Sequence, residues 1–141
     1  MPAAWLLRRW ARAARPAHGA LTLRVVGAPE ARKLNAAYRR RDYATNVLSF
    51  CYPGARGPRN RAALLGDIVL CHPVIALQAR EQGKPLAAHY AHMVVHGILH
   101  LGGMDHRGAS EARLMEARET RILRSLGLAD PYQPRPRRAI E

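Results

Sequence analysis

Acidic side chains are scarce in this 141-residue chain, where 10 Asp and Glu stand against 23 Lys and Arg for a formal net charge of +13. A polyanionic partner follows from that imbalance, because basic clusters neutralise phosphates and release counterions. Arginine far outnumbers lysine and alanine is abundant, a bias that nucleotide composition alone could impose, so the charge is a footprint and not a motif. Cysteine is scarcer still. Cys51 and Cys71 are too few and too far apart for a disulfide framework or a cysteine-based zinc site. Both end apolar runs and read as buried free thiols of a reducing compartment. No apolar run reaches the roughly 18 residues of a membrane-spanning helix. Met1 to Leu7 offers only a stub of apolar sequence before Arg8 and Arg9, whereas a signal peptide needs a longer apolar core preceded by the positive charge. A cytoplasmic location without a membrane partner is expected.

Hydrophobic residues make up 48% of the chain, enough for a folded protein. The length fits one domain over residues 1–141, with a Pro- and Arg-rich tail from about residue 131 expected to fray. Helices are expected over Ala3–Ala14 (Trp5, Leu6 and Trp10 on one side), Pro29–Arg40 (Leu34, Ala37 and Tyr38 as the apolar face), Pro73–Gln82, Pro85–Leu101, and from Ala109 or Ser110 to Leu126 with Ser110 as cap. Strands are expected over Leu21–Val26, Asn46–Tyr52 and Leu64–Cys71. The last is interrupted by Gly66, where a bulge or a close approach is expected. A loop covers Gly54–Asn60. The order αβαββααα indicates an α+β fold: a small mixed sheet packed by helices.

Four of the seven histidines lie on one helical stripe. His89, His92, His96 and His100 fall within roughly 80° of arc at about 100° per residue. His96 and His100, four apart, stand one above the other and can share a metal ion. Gly102 and Gly103 then end the helix and let the chain reverse, since glycine accepts positive φ. That reversal can bring His106 onto the same face. His96 to His106 therefore has the spacing H-x-x-x-H-x-x-G-x-x-H. Three imidazoles supply three ligands for one zinc ion per chain, in a zincin-like three-histidine site, and leave a fourth position for water. His89 and His92 lie too far along the helix for the same ion and read as solvated histidines, the alternative being a role behind the ligands or along the groove.

The same spacing belongs to metzincin peptidases, but with Glu after the first His. Here that position is Gly97, so the usual general base for peptide hydrolysis is missing. A phosphodiester asks more of a cation near its oxygens. Arg39, Arg40 and Arg41 close the second helix; the helix dipole favours them there, and one of them can also clamp a phosphate bidentately. Spacing does not say which.

The segments Leu34-Asn35 to Arg39, Thr45-Asn46-Val47-Leu48-Ser49-Phe50, Leu65-Gly66-Asp67-Ile68, Glu81-Gln82-Gly83-Lys84-Pro85, the three-histidine string and Asp130-Pro131-Tyr132 occur in that order. Together they resemble the YbeY family of bacterial endoribonucleases and rRNA maturation factors, from about Leu21 to Leu128. The resemblance implies zinc at His96, His100 and His106, and a functional Arg39 facing the metal cleft. It also implies roles in 16S rRNA end maturation, small-subunit ribosome assembly and ribosome quality control. Asn46 stands where many members carry Asp, Cys51 where Pro is frequent, and Gly102 and Met104 where Leu and Tyr are common. The extra leading strand usual in the family is not found before Trp5. None of these departures removes a ligand.

The resulting expectation is a single-strand-specific, zinc-dependent endoribonuclease. Arg39 stabilises the phosphate, Arg40 and Arg41 bind RNA, and Asp105 orients a ligand imidazole; Asp67 is a structural candidate. The partners are an rRNA precursor and the ribosomal small subunit with its proteins, not DNA. Two rivals remain: a non-enzymatic ribosome-assembly factor with a structural zinc, and a metal-dependent peptidase-like hydrolase.

Overall fold

Alternation sets the sheet. Along Leu64–Cys71, Ile68 and Leu70 face one side and Val69 and Cys71 the other, and all four are buried, as period-two geometry requires of a strand covered on both faces. In the computed structural model, which describes residues 1–14, 19–52, 64–102 and 108–132, the elements run α1 (Ala4–Ala14), β1 (Gly19–Val26), α2 (Ala28–Arg39), β2 (Val47–Cys51), β3 (Leu64–Cys71), α3 (His72–Glu81), α4 (Leu86–Leu101) and α5 (Ala109–Ser125). The expected order and α+β class hold.

The sheet has three strands in the order β1-β3-β2. β1 runs parallel to β3, from Gly19 opposite Leu64 to Val26 opposite Cys71. β2 runs antiparallel, from Val47 opposite Leu70 to Cys51 opposite Gly66. Among the described residues no strand precedes β1, so β1 and β2 are the edges. On one face Ile68 and Leu70 join Tyr90, Val94, Val95 and Ile98 of α4, Leu7 and Trp10 of α1, and Met115 and Leu123 of α5 in the main core. On the other face Val26, Leu48, Val69 and Cys71 pack with Ala31 of α2. α4 is the central helix, buried along most of its length.

Glycine at 66 follows from a close approach, not a bulge, since both registers run through β3 unbroken. A Cβ there would sit 2.4 Å from the Phe50 carbonyl oxygen and 2.6 Å from a Leu101 methyl. Gly66→Ala is therefore expected to push β2 and the end of α4 apart, at a cost of about 2–3 kcal/mol typical of overpacking. Urea unfolding would read this as a lowered midpoint, and a wild-type midpoint would contradict it.

Several local expectations change. Trp5 is 62% exposed; α1 buries Leu7, Trp10 and Ala11 instead. α2 buries Ala31 and Asn35 while Ala37 and Tyr38 face outward, because the second core lies under the preceding helical face. Cys71 is buried as expected, but Cys51 is exposed at the end of edge strand β2. Gly102 has φ −77 and not a left-handed turn, and Gly108, not Ser110, precedes α5 without a side-chain cap. Gly103 and the loop expected over Gly54–Asn60 lie outside the described residues. No helix among the described residues is long and apolar enough to cross a membrane.

Candidate active site

Helical periodicity delivers the first half of the site. His96 and His100, one turn apart near the end of α4, hold parallel rings, with centroids 6.5 Å apart and planes 2° apart. Both line a cavity of about 340 Å³ that is also lined by Arg39, Arg41, Asn46 and Ser49. His106 and Asp105 lie outside the described residues.

The arginine run is divided by the way α2 ends. Arg40 adopts a left-handed conformation, φ 56 and ψ 35, and returns its backbone N–H to the Asn35 carbonyl. Arg41 N–H reaches the same carbonyl at 3.3 Å. Buried Asn35 also donates from Nδ2 to the Tyr43 carbonyl at 2.8 Å, tying the following segment down. A non-glycine residue in the left-handed region costs roughly 1–2 kcal/mol, offset here by the bonds that cap the Asn35 carbonyl. The consequence is that Arg39 and Arg41 line the cavity and Arg40 is not among its lining residues.

Gly97 is explained by packing. A Cβ there would lie 3.2 Å from each of Ile68 Cγ2, Ser49 Oγ and Val47 Cγ2, and Ser49 Oγ donates to the Gly97 carbonyl at 3.0 Å. A side chain at 97 would enter the sheet, so a peptidase-type carboxylate has no seat there.

Sequence reasoning missed Glu119. The residue is fully buried on α5 and receives three donors. Its Oε1 lies 2.6 Å from His96 Nδ1, its Oε2 lies 2.8 Å from His92 Nε2, and Oε2 also accepts from the Tyr132 hydroxyl. Burial alone would raise the Glu119 carboxyl, but the hydrogen bonds from His92, His96 and Tyr132 outweigh it and hold it down at about 2. Burial, then the bond to Glu119, raises the Tyr132 hydroxyl well above its ordinary range. A signal was present in the sequence: Glu119 sits four residues from both Met115 and Leu123, on the buried stripe of its helix.

His92, His96 and Glu119 bring one ligand atom each within 4.8 Å of one another and could hold a metal ion. Their spacing favours another use. Two ligands of a tetrahedral zinc, each about 2.0–2.1 Å from the ion, stand roughly 3.3 Å apart. The separations of 2.6 and 2.8 Å are instead hydrogen-bond lengths. A carboxylate on Nδ1 makes Nε2 the nitrogen with which His96 would meet a metal, the usual way an outer carboxylate orients a ligand imidazole. Glu119 is the carboxylate found against His96 among the described residues; Asp105, expected to orient a ligand imidazole, lies outside them.

His89 and His92 are buried and not solvated, and His92 shares the Glu119 carboxylate with His96, in keeping with the alternative of a role behind the ligands. His89 Nε2 lies 2.9 Å from Gln78 Oε1, which also accepts from Asn46 Nδ2 at 3.1 Å. Asp67 is structural: it accepts from the Tyr52 hydroxyl at 2.5 Å and does not line the cavity.

Burial first, and then repulsion from His92 and Lys84, hold His89 down at about 4 against an ordinary 6.5. The unfolded chain takes a proton at 6.5 where the folded chain refuses it. The stability contributed is therefore complete above pH 6.5, is lost as pH falls from 6.5 to 4, and is level below that. The expected loss is on the order of 2–3 kcal/mol, read as a drop in unfolding free energy that His89→Gln abolishes. An equal slope in both proteins would count against it.

The family model described as Endoribonuclease YbeY matches residues 5–127. A protein of Verminephrobacter eiseniae named Endoribonuclease YbeY is 51% identical over 131 residues, covering 93% of this chain and 81% of that one. Its namesake from Aromatoleum aromaticum is 52% identical over 131 residues, with the same coverage of 93% and 81%. A third, from Alkalilimnicola ehrlichii, is 52% identical over 138 residues, covering 94% and 83%. The solution structure of a Thermotoga maritima protein superposes with a TM-score of 0.51 at 20% identity, covering 92% of this chain and 87% of the other, and shares the fold. The chain belongs to the Endoribonuclease YbeY family.

Proposed function

We propose that this protein is a zinc-dependent endoribonuclease that cuts single-stranded RNA in the cytoplasm. Its place is the maturation of 16S rRNA 3′ ends, small-subunit assembly and ribosome quality control, with an rRNA precursor and the small subunit as partners. One observation carries the reading: two parallel helical imidazoles, His96 and His100, share a single cavity with Arg39 and Arg41. Membership in a family named for endoribonuclease activity supports the RNA substrate.

The donor chemistry fits zinc, since imidazole nitrogens are its common ligands and His96 is already oriented by a carboxylate. His96, His100 and His106 would hold the ion. Bound there, zinc supplies Lewis acidity and an acidified water at neutral pH.

The chain's own side chains do the rest. Arg39 presents its guanidinium to the phosphate and stabilises the charge that grows on its oxygens. Arg41 within the cavity, Arg40 beside it and the net charge of +13 hold the RNA backbone without reading bases. Gly97, closed off by the sheet, leaves no general base for a peptide.

The test is cleavage by zinc-loaded protein of a single-stranded RNA carrying the 16S 3′ precursor sequence, beside its duplex form and a peptide library. Cutting of the single strand alone is expected. Peptide cleavage, or binding to the small subunit without any RNA cleavage, would contradict the reading.

A further inference from the structure

The C-terminal segment after α5 is anchored at several points. Leu128 N–H closes back on the Leu123 carbonyl at 2.9 Å, across Gly127 with φ +80. Asp130 Oδ1 accepts from Thr120 Oγ1 at 3.2 Å and from the Tyr132 backbone N–H at 2.8 Å. Lys84 Nζ, from the turn before α4, donates to the Pro131 carbonyl at 3.0 Å. These contacts fix a short stretch of backbone that ends on Tyr132, a residue 42% exposed whose hydroxyl reaches the buried Glu119. Tyr132 lays its ring edge-on to His92, centroids 5.3 Å apart and planes at 85°, and donates its hydroxyl to Glu119 Oε2.

Donors and acceptors around Glu119 balance in one way. With two imidazole nitrogens and a hydroxyl converging on its two oxygens, the carboxylate is the acceptor of all three bonds. His96 Nδ1, His92 Nε2 and the Tyr132 hydroxyl must then each carry the hydrogen they present. His92 Nδ1 is buried without a hydrogen-bond partner among the described residues. The two donors on Oε2 fix the carboxylate plane from the side away from His96, so that Oε1 meets Nδ1 at 2.6 Å. The hydroxyl of Tyr132 is thus two bonds removed from the imidazole that lines the cavity.

We propose that Tyr132 is a positioning residue: the C-terminal segment Asp130–Tyr132 clasps Glu119 and thereby sets the tautomer and orientation in which His96 meets the metal. This rests on the zinc reading given above. It makes a segment outside the cavity part of the metal site, and it predicts that changes there act on metal binding before they act on the fold.

The experiment is zinc affinity by chelator competition, together with nitrogen NMR of the histidine rings in zinc-free protein. Wild type is compared with Tyr132→Phe, which keeps the ring and deletes the donor, and with Asp130→Ala, which frees the turn that places it. Tyr52→Phe, which removes an equivalent hydroxyl-to-carboxylate bond at Asp67, is the control. Zinc affinity is expected to fall about tenfold in both clasp variants, the lower end of what loss of an outer partner costs, and to stay at the wild-type value in the control. The His96 ring, one Nδ1–H tautomer in wild type, is expected to become a mixture in Tyr132→Phe while the unfolding midpoint moves little. Wild-type protein that takes up zinc, beside a Tyr132→Phe variant of equal affinity and tautomer, would overturn the clasp alone. Wild-type protein that takes up no zinc would overturn the functional reading and the clasp with it.

Discussion

Arg39→Ala is expected to lower kcat/KM for single-stranded RNA by 10²- to 10³-fold, roughly the loss of one preorganised donor to a developing oxyanion, while zinc content and unfolding midpoint stay at wild-type values. The separation is possible because Arg39 is an exposed residue at the last turn of α2, contributing to the cavity and not to the core. The helix end that presents it is held by Asn35 and by the left-handed Arg40, neither of which the substitution touches. Arg39→Lys would keep the charge and lose the planar fork, so it should recover only part of the rate. Arg40→Ala, absent from the cavity lining, should cost far less than Arg39→Ala. Equal rates for wild type and Arg39→Ala, measured at matched zinc content, would remove Arg39 from the mechanism.

The second large effect is expected at Glu119. Glu119→Ala removes the acceptor shared by His92, His96 and Tyr132. Leaving a buried donor unsatisfied costs about 1–3 kcal/mol, a large share of the whole stability of a small domain, so a fall of the urea midpoint is expected. Zinc affinity should drop 10- to 100-fold in whatever protein folds, because His96 is no longer oriented. Glu119→Gln preserves the volume but offers one acceptor oxygen and an unwanted amide donor to three donors, and should weaken zinc binding while folding better than Glu119→Ala. Wild-type stability in Glu119→Ala would mean the network carries no load.

Much of this was written in the chain. The period-two pattern of β3 and the glycine and proline punctuation gave the element order and the mixed sheet. The i, i+4 histidines on a helix gave His96 and His100 a common face, and the arginine run at the end of α2 gave the cavity its cations. What local sequence could not give was tertiary. The face of α2 that buries was misread because Tyr38 looks apolar, yet Asn35 is the residue enclosed, bonded to a carbonyl eight positions on. His89 and His92 read as solvated because nothing nearby in sequence pairs with them; their partners Gln78 and Glu119 come from α3 and α5. Gly97 looked like a lost general base and is a contact with the sheet. Glu119 was hidden by an ordinary prior, that glutamates on a helix face water, which its place between Met115 and Leu123 contradicts.

The measurement closest to the central claim is a titration of metal-stripped protein with zinc, following cleavage of single-stranded RNA and bound metal in the same samples, for wild type and His100→Ala. Expected are no cleavage without metal, a rate that rises in proportion to zinc and levels at one ion per chain, and neither tight zinc binding nor cleavage in His100→Ala. Full cleavage by the metal-free protein, or one tightly bound zinc per chain with no cleavage, would contradict that claim.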